Sequence, residues 1–310
     1  MQAVRLKPSD PAARAALPIL ALSLAALFWS GNFIVGRALR GQIDPLHLST
    51  LRWIICLFVF LPLVGRKALT RAGVLRREWK YLLALGVTGV AGFQTVVYLA
   101  LETTTAINAL LLLAFTPVAI LIGTALTGAA RPNLAQWIGS LVSLAGVGLL
   151  VTRGDWHVLA HFAFARGDLW MMAAVLFWSI YSLLLTKRPA DLPPDVALAG
   201  SIVAALVILI PASALDKGAW PAFSPTIIAA LLYVGLFASL FAFMLWSFGV
   251  GAIGPGKAGQ FIHLMPVFGA VLATVFLGER IDSAQIAGAA CVLVGIVLVN
   301  RTQTRLEKRS

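Results

Sequence analysis

In a chain of 310 residues that is 60% hydrophobic and 12% charged, the side chains able to do chemistry stand out by scarcity. Asn32, Gln94, Tyr98, Asn108, Tyr181, Lys257, Gln260 and His263 all fall within long apolar stretches. A polar group in such a stretch is costly and faces the interior of a helix bundle. Spacing sorts these residues by face. Gln94 and Tyr98 are four apart, Asn108 and Phe115 seven apart, Trp29 and Asn32 three apart, and Trp178 and Tyr181 three apart. Lys257, Gln260 and His263 follow one another at threes. Amides, a phenol, aromatic faces and one ammonium are suited to reversible binding of a small solute.

The same inventory offers nothing for catalysis. There is no HExxH, nucleophile elbow or pair of intramembrane carboxylates, and nearly all of the 12 acidic residues map to loops or span ends. Cys56 and Cys291 lack CxxC or Cys/His spacing, so neither a disulfide framework nor a metal is indicated. Gly249–Gly254 satisfies GxGxxG and Gly251–Lys257 reads GxxxxGK, but Ala258 stands where a phosphate loop needs Ser or Thr. No cofactor is expected. Several candidates carry a second reading. Lys257 also fits a cation snorkelling from a span end, and neutral His263 fits a hydrogen bond within the bundle. Trp29 and Trp178 fit packing, and Arg52, near the start of its span, reads as structural. Pro117 and Pro266 each remove a mid-span backbone donor, which suits a moving gate and equally a static kink.

The elements that position these residues follow from composition. Soluble domains carry about 25% charged residues, and a mean hydropathy of +0.92 with so few charges requires a lipid solvent. At about 20 residues per span, the apolar runs are expected near 17–39, 46–64, 81–101, 105–127, 134–152, 167–186, 195–214, 226–247, 255–277 and 284–300. The fold class is therefore an all-α integral membrane protein of ten helices. The first run stays apolar through Trp29 with no small-x-small site after it, so it is a span rather than a cleaved leader.

The net charge of +12 is explained by its placement. Arg66, Lys67, Arg71, Arg76, Arg77 and Lys80 share one loop, and most other cations fall on the same side of the alternating spans, including Arg5, Lys7 and Arg14 and the tail residues Arg301, Arg305, Lys308 and Arg309. The positive-inside rule puts both termini in the cytoplasm. The expected partners are membrane lipid and a small solute, not nucleic acid, and a monomer is the working expectation.

An internal repeat organises the chain. Leu27-Phe28-Trp29-Ser30 recurs as Leu176-Phe177-Trp178-Ser179, at an offset of 149. The same offset relates Gly86 to Gly235, Pro117 to Pro266, Gln136 to Gln285, Gly139 to Gly288 and Gly146 to Gly295. Asn133 with Gln136 and Asp282 with Gln285 predict matching helix caps. Five spans per copy, an odd number, put the second copy upside down, giving an inverted repeat about an axis in the membrane plane. The expected units are a cytosolic segment 1–16, a first repeat 17–152, a linker 153–166, a second repeat 167–300 and a basic tail 301–310.

These features resemble the drug/metabolite transporter superfamily, and within it the ten-helix exporters built of two EamA-type repeats. The resemblance rests on the FWS start of each repeat, the mid-helix prolines Pro117 and Pro266, the LGER segment at 277–280 and the glycine spacing of the fifth and tenth helices. Gly128–Arg131 departs from it by lacking a counterpart to Glu279. The chain is similar to bacterial exporters of aromatic amino acids. That similarity implies outward movement of Phe, Tyr, Trp and related apolar solutes through a central cavity. The inverted repeat adds the expectation of alternating access, and by residue chemistry Lys257 is suited to attract the carboxylate and Asn, Gln or Tyr groups to meet the ammonium.

Overall fold

The computed structural model describes residues 11–301, apart from 40, 105, 129–130, 156, 161–164, 219 and 278–279. Glu279 of the LGER segment and tail residues 302–310 therefore lie outside the described residues. Among the described residues ten helices are long and apolar enough to cross a membrane: α1 (Ala16–Gly36), α2 (Pro45–Thr70), α3 (Trp79–Thr103), α4 (Asn108–Leu126), α5 (Leu134–Thr152), α6 (Arg166–Leu185), α7 (Pro194–Leu215), α8 (Pro225–Ile253), α9 (Pro255–Val275) and α10 (Ser283–Asn300). Phe58, Leu63, Val207 and Val275 point outward from the bundle, where lipid lies. No strand occurs among the described residues.

The helix that carries α1 starts early, at Pro11, and two others run past their expected ends. α2 continues through Arg66 and Lys67 to Thr70, because charges end a hydrophobic run without ending a helix. α8 continues through Gly249 and Gly251 until Gly254, whose φ of 80° stops it. Starts are better marked. The Asn133 amide donates to Gln136 Oε1 at 2.9 Å and the Gln136 amide donates to Asn133 Oδ1 at 3.0 Å. Asp282 and Gln285 repeat this box at 3.2 and 2.8 Å.

α3 and α8 each contain a π-helical stretch, at Gly86–Gly92 and Leu236–Phe241, at matching positions of the two copies. α4 is broken between Leu113 and Thr116. Pro117 has no amide to give the Leu113 carbonyl, and the Thr116 hydroxyl donates there instead at 2.6 Å. In α9 the corresponding stretch before Pro266, Gln260–His263, tightens into a 3₁₀ turn.

The relation of the copies is visible in residues that touch their own counterparts, since such contacts can lie only on the symmetry axis. Trp29 packs edge-on against Trp178 with ring centroids 4.9 Å apart. His263 Nε2 donates to the Ala114 carbonyl at 2.7 Å, and Ser143 Oγ approaches the Val292 carbonyl at 3.4 Å, each pair separated by 149 residues. Along α5 and α10, Gly139 meets Gly295, Ser143 meets Val292 and Gly146 meets Gly288. Numbers rise on one helix as they fall on the other. Counterpart helices that run antiparallel make the two five-helix copies an inverted pair.

That contact needs glycine. A Cβ on Gly146 would sit 2.7 Å from the Gly288 carbonyl oxygen, whereas one on Gly148 would meet nothing within 4 Å. Gly146→Ala is expected to cost about 1–3 kcal/mol of stability, the range for overpacking, and Gly148→Ala to be neutral or slightly stabilising. Thermal unfolding of both variants in detergent checks this, and equal shifts would contradict the contact.

Candidate functional site

Aromatic rings converge on the axis at mid-depth. Besides the Trp29–Trp178 pair, Phe93 lies 4.7 Å and Tyr181 5.1 Å from the Trp178 ring, and Phe243 lies 5.4 Å from it. Trp246 completes the cluster at 5.4 Å from Trp29. Trp29 Nε1 donates to the Ala238 carbonyl at 3.0 Å. Ala238 belongs to the π-helical stretch of α8, a device that disturbs the helical ladder and recurs at functional sites.

Arg52 of α2 reaches this region and is completely buried. Its Nε donates to Ser239 Oγ at 2.8 Å and its Nη2 to the Ala238 carbonyl at 3.2 Å. Its Nη1 donates to Tyr98 Oη at 3.1 Å and to Asn32 Oδ1 at 3.4 Å. Tyr98 in turn donates its hydroxyl proton to Asn32 Oδ1 at 3.1 Å. Every acceptor is a neutral oxygen, and among the described residues no carboxylate comes within ion-pair distance of this guanidinium. Asn32 follows Trp29 by about one helical turn, so the guanidinium it accepts from lies beside the on-axis cluster. The copies share the framework but not the charge. Tyr181 hydrogen-bonds Ser247 where Asn32 and Tyr98 pair in the first copy, while Ser201 occupies the place of Arg52 and bonds only the Leu198 carbonyl at 2.8 Å.

Two cavities flank the cluster. A cavity of about 940 Å³ opens at the end formed by the α1–α2, α3–α4 and α5–α6 connections, lined by Tyr98, Glu102, Leu110, Arg153 and Gln285 among others. It lies within the 300–1,000 Å³ usual for small-molecule sites. The second, about 20 Å³, lies between Trp29, Asn32, Phe93, Gln94 and Trp178. That is room for a single water. Its wall contains the Gln94 Nε2 and Trp178 Nε1 donors, both buried without a hydrogen-bond partner. Phe33 and Met265 line both cavities and so form the partition between them.

Of the residues singled out in the sequence, Trp29, Asn32, Gln94 and Trp178 line the small cavity, Tyr98 lines the open one, and Tyr181 packs against Trp178. Asn108, Phe115, Lys257, Gln260 and His263 line neither. The break in α4 separates Asn108 from Phe115, which points half-exposed out of the bundle. Lys257 sits in the first turn of α9. Gln260 Nε2 donates to Ser140 Oγ at 2.7 Å, tying α9 to α5. His263 has both ring nitrogens engaged, Nε2 with Ala114 and Nδ1 with Ser143 Oγ at 2.7 Å. The carbonyl can only accept, so Nε2 carries the proton and the serine donates to Nδ1. Pro266 lines the open cavity, and Pro117 sits in the first turn after the α4 break. Arg52, near the start of its span, gives no sequence signal of this role, because its partners lie on α1, α3 and α8. Among the described residues the one deeply buried carboxylate, Asp168, caps α6, accepting from the Ala165 amide at 2.8 Å and from the Thr104 hydroxyl.

The chain matches the EamA-like transporter family over residues 16–152 and again over 165–301. The chain belongs to that family. This EamA-like transporter is 27% identical to an uncharacterized transporter of Archaeoglobus fulgidus over 92% of its own length and 97% of that protein's. It is 26% identical to the uncharacterized transporter YdeK of Bacillus subtilis, covering 90% and 95%. It is 24% identical to a probable terminal-alkyne amino-acid exporter of Streptantibioticus cattleyicolor, covering 73% and 74%. A solved crystal structure superposes with a TM-score of 0.77 over 96% of this chain and 100% of the other at 22% identity, which establishes a shared fold. The protein is a multi-pass membrane transporter of the EamA family.

The partition can be tested by labelling. In a background lacking Cys56 and Cys291, a cysteine at Leu110 is expected to react with a membrane-impermeant maleimide while one at Gln94 stays protected. Met265→Ala with Phe33→Ala is expected to expose position 94 to a small thiol reagent. Equal labelling of both positions without these substitutions would remove the partition.

Proposed function

We propose that this EamA-like transporter exports amino acids with apolar, foremost aromatic, side chains by alternating access between its two repeats. In this reading it lies in a bacterial cell membrane with both termini cytoplasmic, and solute moves down its own gradient. The observation that carries the reading is Arg52, a buried cation surrounded by neutral oxygens. A charge at mid-membrane costs about 2.5–3.5 kcal/mol even on the mildest scale. A solute carboxylate arriving at Asn32 and Tyr98 would compensate that charge, and the Gln94 and Trp178 donors would gain an acceptor. The Trp29, Phe93 and Trp178 rings would then hold the apolar side chain. A polyanion finds only one cation there, which favours a single carboxylate. The amino-acid export named for the Streptantibioticus relative is in keeping with this chemistry.

The small cavity, about 20 Å³, is too small for an amino acid, so a solute reaches the cluster from the open cavity only when Phe33 and Met265 move apart. With the termini cytoplasmic, that open cavity faces outward. Among the described residues no carboxylate is buried at the cluster, which favours a facilitator over a proton-coupled carrier.

Proteoliposomes loaded with labelled phenylalanine test the proposal. Efflux is expected without an imposed pH gradient, to fall at least about tenfold in Arg52→Gln, and to be absent for phenethylamine, which lacks the carboxylate. Equal flux of phenylalanine and phenethylamine, or full activity in Arg52→Gln, contradicts it.

A further inference from the structure

α2 and α7 cross as an antiparallel pair tied at both ends. At one end Lys67 pairs with Asp195 at 2.7 Å. At the other, beside the mouth of the open cavity, Asp44 and His47 of the α2 start face Asp216 at the end of α7. The inverted repeat makes these ends equivalent, since Asp216 is the counterpart of Lys67. Where the first end matches a lysine to an aspartate, the second gathers two aspartates, and among the described residues no Lys or Arg lies within ion-pair distance of either.

A histidine stands between them. His47 is completely buried, its ring 4.1 Å from that of Trp220. Its Nε2 donates to the Ser213 carbonyl at 3.0 Å. A carbonyl only accepts, so Nε2 carries a proton, and the neutral imidazole turns its Nδ1 lone pair toward the two aspartates. That Nδ1 is buried with no hydrogen-bond partner, 3.9 Å from an Asp44 oxygen and 4.0 Å from an Asp216 oxygen. One ligand atom from each residue lies within 4.8 Å of the others. Imidazoles that ligate metals characteristically give their second nitrogen's proton to a carbonyl or carboxylate, as this one does. Gly218 makes the convergence possible: a Cβ there would sit 2.7 Å from oxygens of both carboxylates.

We propose that Asp44, His47 and Asp216 form a divalent-cation site of the zinc type, clasping α2 of the first repeat to α7 of the second at the open end. One imidazole and two carboxylates, with water as a fourth ligand, are an ordinary zinc donor set. Ligands at tetrahedral zinc bond lengths stand about 3.4 Å apart. The two carboxylates are partly exposed and on rotatable bonds, and each closes about half an ångström on Nδ1. Their own oxygens, within 4.8 Å of each other, close by up to about 1.4 Å, Asp44 Oδ1 meanwhile accepting from the Leu46 amide at 2.8 Å. The sequence pointed to no metal because Asp216 is far along the chain from Asp44 and His47 and no spacing motif joins them. The site is independent of which solute is carried.

The test uses the full chain without a histidine tag, in detergent and stripped with a chelator. Calorimetric titration with Zn²⁺ is expected to show one saturable site, weakened at least about tenfold in Asp216→Asn and in His47→Gln. Co²⁺ is expected to give a visible tetrahedral absorption that Asp216→Asn abolishes. Asp44→Asn, which keeps the helix cap, serves as a further variant should His47→Gln fail to fold. No saturable Zn²⁺ binding, binding unchanged by the aspartate substitutions, or a preference for Ca²⁺ that ignores His47 overturns the site.

Discussion

The architecture depends on one constraint: two copies of a five-helix unit meet antiparallel across an axis at mid-depth, through backbone surfaces bare of side chains. Gly139, Gly146, Gly288 and Gly295 let α5 and α10 approach until carbonyl oxygens face α-carbons. Close packing replaces the hydrophobic effect as the source of helix association in lipid. The on-axis contacts are made by the same chain positions twice, so anything placed there is presented alike to both faces of the membrane. A mid-depth site reachable from either side is the geometric requirement of a carrier.

On this symmetric frame the chemistry is asymmetric. The first copy supplies Arg52, Asn32, Gln94 and Tyr98, and the second supplies mostly rings, with Phe243 where the first has Gln94. A solute bound between the copies would have its charged end toward one and its apolar end toward the other. The π-helical stretch in α8 joins these halves, because the Ala238 carbonyl accepts from both Trp29 and Arg52. The aromatic cluster and the cation are thereby set by one backbone atom.

The spans were legible because lipid imposes their length and composition, and the repeat because its offset holds without a gap through loops as well as helices. The caps at Asn133 and Asp282 were legible for a local reason, the donor and acceptor being three residues apart. The site was legible only in part. Asn32, Gln94 and Tyr98 announce themselves as polar residues in apolar runs, and so do Gln260 and His263, which instead bond Ser140 and Ser143 of α5. Sequence spacing gives a face of a helix but not which neighbour that face meets. Phe115 fails for a different reason, since the break before Pro117 ends the periodicity on which its pairing with Asn108 rested. Arg52 looked like a span-end cation because nothing near it in sequence shows that its four partners come from three other helices.

The central claim is that the buried guanidinium of Arg52 awaits the carboxylate of the solute. A structure of the transporter determined with a bound aromatic amino acid tests this most directly. The account predicts the carboxylate within hydrogen-bond distance of Arg52, with the ring against Trp29, Phe93 and Trp178. An amino acid seated elsewhere, with Arg52 still donating to Asn32 and Tyr98, would contradict it.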